Sequence, residues 1–400
     1  MTPSKAAPSA AAPPVPTAKY NPAIGYLRAF IVVAVVAHHA VLAYCPFTPF
    51  PPASLAAFPR WWQAFPVSDA RRWSGFAPFV GINDIFFMSL MFFLSGLFVW
   101  HGLQRKGGAR FLRDRLLRLG LPFVAAAAVF APLAYYPTYL QIPGHAGMAG
   151  FWRQWLSLGQ WPAGPAWFVW VLLAFDCLAA LLFAVAPRWG ETLGGVTSGA
   201  SRRPVVFFAV LAGISAVAYI PMALLFTPVS WTGFGPFAFQ ISRVLHYLAY
   251  FLIGAGIGAW GLDRGLLARD GKLARRWPLW AMAALVLFGV AEAPAARAGA
   301  SWRWAADLGF VLSCAASSFA LLALFIRWAG ARSRPWDSLS ANSYGIFLLH
   351  YPCVSWLQCA LLPAALPGIA KGAAVFLGAL AVSWGAAAGI RRIPAVARVV

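Results

Sequence analysis

The chain has 400 residues, of which 61% are hydrophobic and only 10% are charged, and its mean hydropathy is +0.71. These values exclude a water-soluble globular protein and a disordered chain, and five cysteines in 400 residues exclude a disulfide-stapled secreted scaffold. The composition therefore predicts a polytopic membrane protein of the all-α class.

Ten apolar runs of about 18–23 residues, the length that crosses a bilayer, follow one another along the chain. We predict spans at 24–44, 79–100, 119–136, 165–186, 205–227, 238–260, 278–295, 304–326, 341–361 and 371–390. Residues 23–392 are therefore predicted to form one transmembrane domain. The Pro/Ala-rich tail at 1–22 is predicted to be disordered, and a short tail occupies 393–400.

The net charge is +21, and the distribution of the basic residues between the two predicted sides of the membrane explains it better than a nucleic-acid-binding surface does. Ten spans place both termini on one side. If that side is the cytoplasm, 23 of the 31 Lys and Arg residues fall in cytoplasmic segments. Because positive charge gathers on cytoplasmic loops, we predict cytoplasmic N and C termini and no nucleic-acid partner.

The first span, IGYLRAFIVVAVVAHHAVLAY, contains three ionisable side chains. Arg28 and His39 share one helix face and lie about 16.5 Å apart along the axis, whereas His38 points elsewhere. Ionisable groups inside a span tend to line cavities or to pair, which makes His39 a functional candidate. The alternative for His39 is a neutral imidazole bonded to a neighbouring carbonyl, and snorkelling would also explain Arg28.

A basic segment, RKGGARFLRDRLLR, precedes the third span. Within it Arg115 and Arg118 are three residues apart and share a helix face. Forked guanidinium groups in this position suit bidentate phosphate binding from the cytoplasm. Such a segment also anchors a protein and signals its topology, which is the interpretation for Arg105 and Lys106.

The ninth span begins ANSYGIFLLHYP, with Ser343 and Tyr344 at its cytoplasmic end and His350 near mid-membrane. His350 is suited to orient a partner, to line the same cavity as His39, or to satisfy a backbone carbonyl freed by Pro352.

Acidic residues are sparse, with ten in the chain, and Asp84 lies near the outer end of the second span. This scarcity disfavours an acidic metal cluster, and we predict no metal site. The spaced glycines Gly254, Gly256 and Gly258 have no preceding strand, so they predict close helix packing instead of a dinucleotide-binding loop.

Four of these segments, in this order, resemble the membrane acyltransferase-3 family, and most closely its branch of periplasmic glucan succinyltransferases. The segments are LRAFIVVAVVAHHA with Arg28 and His39, Asn83-Asp84 followed by Phe92–Gly96, RLLRLGLP with Arg115 and Arg118, and NSYGIFLLHYP. Many relatives carry an acid just before the FF pair, where this chain has Met88, Ser89, Leu90 and Met91. That departure favours the glucan branch.

The resemblance implies O-acylation, in which an acetyl or succinyl group passes from cytoplasmic acyl-CoA to a hydroxyl of an extracytoplasmic glycan at the bacterial inner membrane. An alcohol needs a base to become a nucleophile, and a neutral imidazole suits that role. We therefore expect His39 to act as general base or as acyl acceptor. Acyl-CoA is expected as a co-substrate, with no permanently bound cofactor.

The remaining candidates form two groups. Arg28, Arg115 and Arg118 are expected to bind the donor. Residues that line the cavity or orient its groups are expected to be Asp84, Ser343, Tyr344 and His350.

A rival hypothesis is a secondary transporter or flippase that uses His39, His350 and Arg28 to bind an anionic substrate or relay protons. Its expected signs are an internal repeat or paired broken helices, and the sequence gives neither convincingly. A purely anchoring protein is disfavoured by the two buried histidines.

The charge distribution generates a first prediction, that both termini are cytoplasmic. A reporter active only in the periplasm should stay inactive when fused to the C-terminus, and a cytoplasmic reporter should be active there. The opposite pattern would overturn the orientation.

Overall fold

A computed structural model describes residues 22–295 and 300–399 of the chain. Except for Pro22, the predicted disordered tail lies outside the described residues. The described residues form seventeen α-helices: α1 (Pro22–Val41), α2 (Phe76–Gly96), α3 (Val99–Lys106), α4 (Gly108–Arg115), α5 (Leu121–Ala125), α6 (Ala131–Leu140), α7 (Gly147–Ser157), α8 (Trp167–Val185), α9 (Trp189–Ser201), α10 (Pro204–Phe226), α11 (Val244–Trp260), α12 (Lys272–Arg275), α13 (Trp277–Ala295), α14 (Ala300–Trp328), α15 (Arg334–Ala360), α16 (Gly368–Ile390) and α17 (Pro394–Ala397).

Seven helical segments of the described chain are long and apolar enough to cross a membrane, or eight if one sharply bent pair counts as a span. The seven are Pro22–Tyr44, Phe76–Lys106, Gly108–Leu140, Gly164–Val185, Pro204–Phe226, Trp302–Trp328 and Gly368–Ile390. The all-α, polytopic fold is therefore confirmed. All ten predicted spans coincide with helices, but three of those helices are not, on their own, both long and apolar enough to cross a membrane.

Each of these three helices falls short of the length or hydropathy of a membrane span for a physical reason. The helix α11 has 17 residues, and it continues into Gly265–Arg275 only across a bend of 83°. The apolar part of α13 is limited to Trp277–Glu292. At 27 residues, or about 40 Å, α15 is long enough, but its first half is polar, with the sequence RPWDSLSANSY.

A short hairpin replaces the predicted beginning of the sixth span at 238. Its strands, β1 (Trp231–Phe234) and β2 (Phe237–Gln240), pair antiparallel. Gly235 connects them with a φ of 55°, a conformation that glycine adopts without a steric penalty. The aromatic residues of both strands favour extended backbone, so the helix starts only at Val244.

One long helical segment, Gly108–Leu140, contains two π-helical turns. They are Leu116–Gly120, between α4 and α5, and Ala126–Phe130, between α5 and α6. A π turn is wider than an α turn and often occurs at functional sites. The first one includes Arg118, so the regular helical spacing assumed between Arg115 and Arg118 is interrupted.

The helix α1 occupies the centre of the bundle. It packs against α2, α14, α15 and α16, and Leu27, Ile31 and Val36 along it are completely buried. Its last turn carries His38 and His39. The candidate histidines therefore lie inside the bundle, where side chains of α15 can reach them.

Glycines bring α2 and α11 into direct backbone contact. A methyl group at Gly254 would overlap the carbonyl oxygen of Phe93, and one at Gly258 would overlap that of Leu97. Gly254 meets Phe93, and Gly258, four residues later, meets Leu97, also four residues later. The two helices therefore run in the same direction at this contact. This is the close packing that the glycine spacing predicts.

This packing generates a second prediction. Gly254→Val should lower the melting temperature of the detergent-solubilised protein by several degrees, because overpacking costs about 1–3 kcal/mol. Gly213→Val is the matched control, since Gly213 is also helical but has no neighbour within 4 Å of a new Cβ. Equal melting temperatures for the two variants would contradict the interpretation.

Candidate functional site

Two histidines from distant parts of the sequence meet inside the bundle. The Nδ1 atom of His39 on α1 lies 3.2 Å from the Nε2 atom of His350 on α15. Their ring centroids are 5.1 Å apart. His350 is completely buried and His39 is half-buried. The structure thus brings together the two histidines that the sequence singled out separately.

Backbone carbonyls assign the protons of this pair. His39 Nδ1 lies 2.9 Å from the carbonyl oxygen of Val35, and His350 Nδ1 lies 2.7 Å from that of Phe347. A carbonyl oxygen only accepts, so each Nδ1 carries its hydrogen in the neutral rings. The single His39 Nδ1–H is then shared between the Val35 carbonyl oxygen and His350 Nε2. The remaining nitrogen, His39 Nε2, keeps its lone pair and is the basic atom of the pair.

Side chains of α15 hold His39 from two further directions. Gln358 Nε2 donates to the carbonyl oxygens of His39 and Ala40, at 2.9 and 3.1 Å. The ring of Tyr351 meets the His39 ring edge-on at 5.1 Å, and its hydroxyl donates to the carbonyl oxygen of Gln63 in the 46–75 loop. The loop therefore contacts a residue that packs against His39.

The adjacent His38 has a different environment. It is 8% exposed and packs against Phe87 of α2, with ring centroids 5.2 Å apart. His38 and His39 therefore face different helices, as their helical positions predict.

Asp84, a predicted cavity residue, is engaged elsewhere. Its carboxylate accepts a hydrogen bond of 2.7 Å from Arg243, which is 5% exposed. Arg243 also donates to the Asp84 carbonyl oxygen and lies over the Phe310 ring. Among the described contacts, Asp84 joins α2 to the beginning of α11 and does not touch His39.

The two predicted arginines of the third span have different surroundings. Arg115 Nε lies 3.1 Å from Asp176, a carboxylate that is 1% exposed on α8. The contact is an ion pair without hydrogen-bond alignment. Arg118, within the π turn, has an exposed side chain. Of the two, Arg118 is the more accessible to a ligand.

The other predicted residues of α15 lie at this same end of the bundle. Tyr344 donates a hydrogen bond of 2.7 Å to the Arg118 carbonyl oxygen, and the buried Ser343 donates to the Ser340 carbonyl oxygen. Tyr344 therefore ties α15 to the arginine segment. Arg28 is exposed on α1, eleven residues before His39.

Two apolar cavities border α15. The smaller, of about 10 Å³, is lined by Tyr351 and Pro352 and by residues of the Gly164–Ala166 turn. The larger, of about 180 Å³, lies between α5, α15 and α16. Phe130 and Leu348 line both cavities and form the wall between them. Because Tyr351 also contacts His39, the smaller cavity adjoins the histidine pair.

Sequence reasoning missed several of these contributors. Gln358 and Tyr351 are seven residues apart, which places them on one face of α15. A glutamine inside an apolar run, on the same helix face as a tyrosine next to His350, could have indicated that both side chains belong to the site. The partner of Asp84 could not be found this way, because Arg243 is 159 residues away.

A multi-pass helical bundle with a partly buried imidazole pair, accessible arginines and an apolar cavity defines an integral membrane protein. A family model described as an acyltransferase domain matches residues 21–388. The chain therefore belongs to the membrane acyltransferase-3 family and is a membrane acyltransferase. This membership disfavours the transporter alternative. No curated protein and no solved structure is significantly similar to the chain.

The arginine geometry generates a third prediction. Arg118→Ala should weaken use of the acyl donor by roughly tenfold or more without changing the melting temperature. Arg115→Ala should weaken donor use and also lower the melting temperature, because it leaves Asp176 buried without its partner, a loss of about 3–5 kcal/mol for buried pairs.

Two controls separate these effects. Arg105→Ala, on the exposed end of α3, should change neither property. Adding Asp176→Asn to Arg115→Ala should restore the melting temperature but not donor use. If all three alanine variants behave alike, the arginines only anchor the segment.

Proposed function

We propose that this acyltransferase transfers an acetyl or succinyl group from cytoplasmic acyl-CoA to a hydroxyl of an extracytoplasmic glycan. The observation that carries the proposal is the His39–His350 pair, which leaves a basic nitrogen on His39. The short acyl group and the bacterial inner-membrane location follow from the resemblance to the glucan branch.

His39 is the base in the direct mechanism. Its Nε2 atom accepts the proton of the glycan hydroxyl as the hydroxyl oxygen attacks the thioester carbonyl. The carbon–sulfur bond then breaks, and the thiolate of CoA leaves with the proton that His39 Nε2 releases. The products are the glycan ester and free CoA, so the imidazole returns to its neutral form.

A covalent mechanism uses the same atom. His39 Nε2 attacks the thioester carbonyl, the carbon–sulfur bond breaks, CoA leaves as its thiolate, and an acyl-imidazolium that keeps its Nδ1–H forms. The glycan hydroxyl then attacks the acyl carbon, its proton passes to the thiolate of CoA, and the neutral imidazole leaves as the ester is completed. In both mechanisms the Nδ1–H of His39 stays hydrogen-bonded and keeps the reactive nitrogen in its basic form.

The donor is proposed to bind at the opposite end of α15. Arg118 is exposed there, Arg115 lies one turn away, and Arg28 is exposed on α1. Guanidinium groups bind phosphate through paired charge-assisted hydrogen bonds. The thin pantetheine arm would span the interval between these arginines and His39.

His39 generates a fourth prediction. His39→Ala should reduce glycan acylation by at least about 10²–10⁴-fold, the usual contribution of a general base, with the protein still inserted and folded. His38→Ala should retain most activity, because His38 packs against Phe87 and not against His350. Mass spectrometry of glycans from a deletion strain carrying each variant measures the outcome and identifies the acyl group lost.

Labelled acyl-CoA distinguishes the two mechanisms. Purified wild-type protein without acceptor should retain label if an acyl-histidine forms, and His39→Ala should not. Retention by neither protein would favour direct attack. Full acylation by the His39→Ala variant would refute the role of His39 in both mechanisms.

A further inference from the structure

The larger cavity is a groove with an arginine at one end. Its walls are apolar throughout and include Leu121 on α5, Leu349 on α15 and Ile390 on α16. Leu121 is 55% exposed and Ile390 is 38% exposed. Since both residues belong to helices that meet the length and hydropathy of membrane spans, the groove opens sideways toward the bilayer.

Arg391 follows Ile390 directly and turns back toward α15. It donates a hydrogen bond to the Ala341 carbonyl oxygen and lies 3.4 Å from Asn342 Oδ1. Ala341 is one helical turn before Gly345, which lines the groove. The guanidinium group therefore lies at the end of the groove.

The charge of Arg391 lacks a matching anion within the described part of the chain. No described carboxylate forms an ion pair with it, and its buried Nε has no described hydrogen-bond partner. Its position after the last turn of α16 favours a cation through the helix dipole, but that does not give the Nε–H an acceptor. The guanidinium group as a whole is only part-buried, so its other N–H groups can donate to an external anion.

We propose that this groove binds one anionic phospholipid, with the headgroup phosphate on Arg391 and an acyl chain against the apolar wall. The charge selects the phosphate, the lateral opening gives access from the bilayer, and the wall offers no polar group to a hydrophilic ligand. Basic pockets between spans commonly bind anionic headgroups. None of the residues that line this groove is among those proposed to bind the donor or to react.

Native mass spectrometry of the detergent-solubilised full chain tests the proposal. With phosphatidylglycerol added, the wild-type protein should retain one lipid, with roughly tenfold weaker binding in Arg391→Ala. Arg392→Ala is the matched control, because Arg392 is the next residue and is exposed. Arg391→Gln keeps a donor for Ala341 while losing the charge, so it tests the site even if the alanine variant does not fold.

A second pair of variants tests the groove. Ala125→Trp should reduce lipid retention, because Ala125 lines the groove, whereas Val124→Trp should not, because Val124 is 59% exposed and does not line it. Three outcomes would overturn the proposal: equal retention in the Arg391 and Arg392 variants, retention of phosphatidylcholine as strong as that of phosphatidylglycerol, or Arg391-dependent binding of free CoA in place of lipid.

Discussion

A polar group inside hydrocarbon must find its partner within the protein, and this constraint governs how the helices of the bundle associate. Four buried or half-buried polar contacts join elements that are far apart in sequence. They are His39 with His350, Asp84 with Arg243, Arg115 with Asp176, and Asp69 with Lys371. The last pair is almost completely buried, with Lys371 at 0% and Asp69 at 4% exposure, and it fastens the 46–75 loop to α16.

The same constraint shapes the candidate site. Each histidine places its Nδ1 on a backbone carbonyl of its own helix, and the contact between the rings joins the same His39 Nδ1 to His350 Nε2. Only His39 Nε2 is left over. Stability and reactivity therefore depend on the same hydrogen bonds, and paired substitutions are needed to separate a loss of chemistry from a loss of folding.

The sequence predicts most of the fold because apolar runs of membrane length are a strong signal. It predicts less of the site. The individual candidates, His39, Arg118 and Tyr344, can be chosen from charge and position, but the contact between His39 and His350 crosses 311 positions and depends on how α1 and α15 pack. The ion pair of Arg115 with Asp176 was also missed, because a regular helix gave the two arginines equivalent positions and the π turn does not. The second strand of the β1–β2 hairpin was predicted as the beginning of a membrane span, because hydropathy alone does not distinguish an aromatic strand from a helix.

The two π turns also affect how the long Gly108–Leu140 segment can vary. Each turn accommodates about one residue more than an α-helix of the same register would. Removal of a residue from either turn can thus be absorbed locally, leaving the faces of α6 directed as before, whereas the same removal within α6 would rotate the following residues by about 100°. Single-residue length differences among relatives are therefore expected to fall at 116–120 and 126–130. A helical wheel drawn with regular α-helical spacing through these two turns would assign lipid-facing and buried positions wrongly from Leu116 onward.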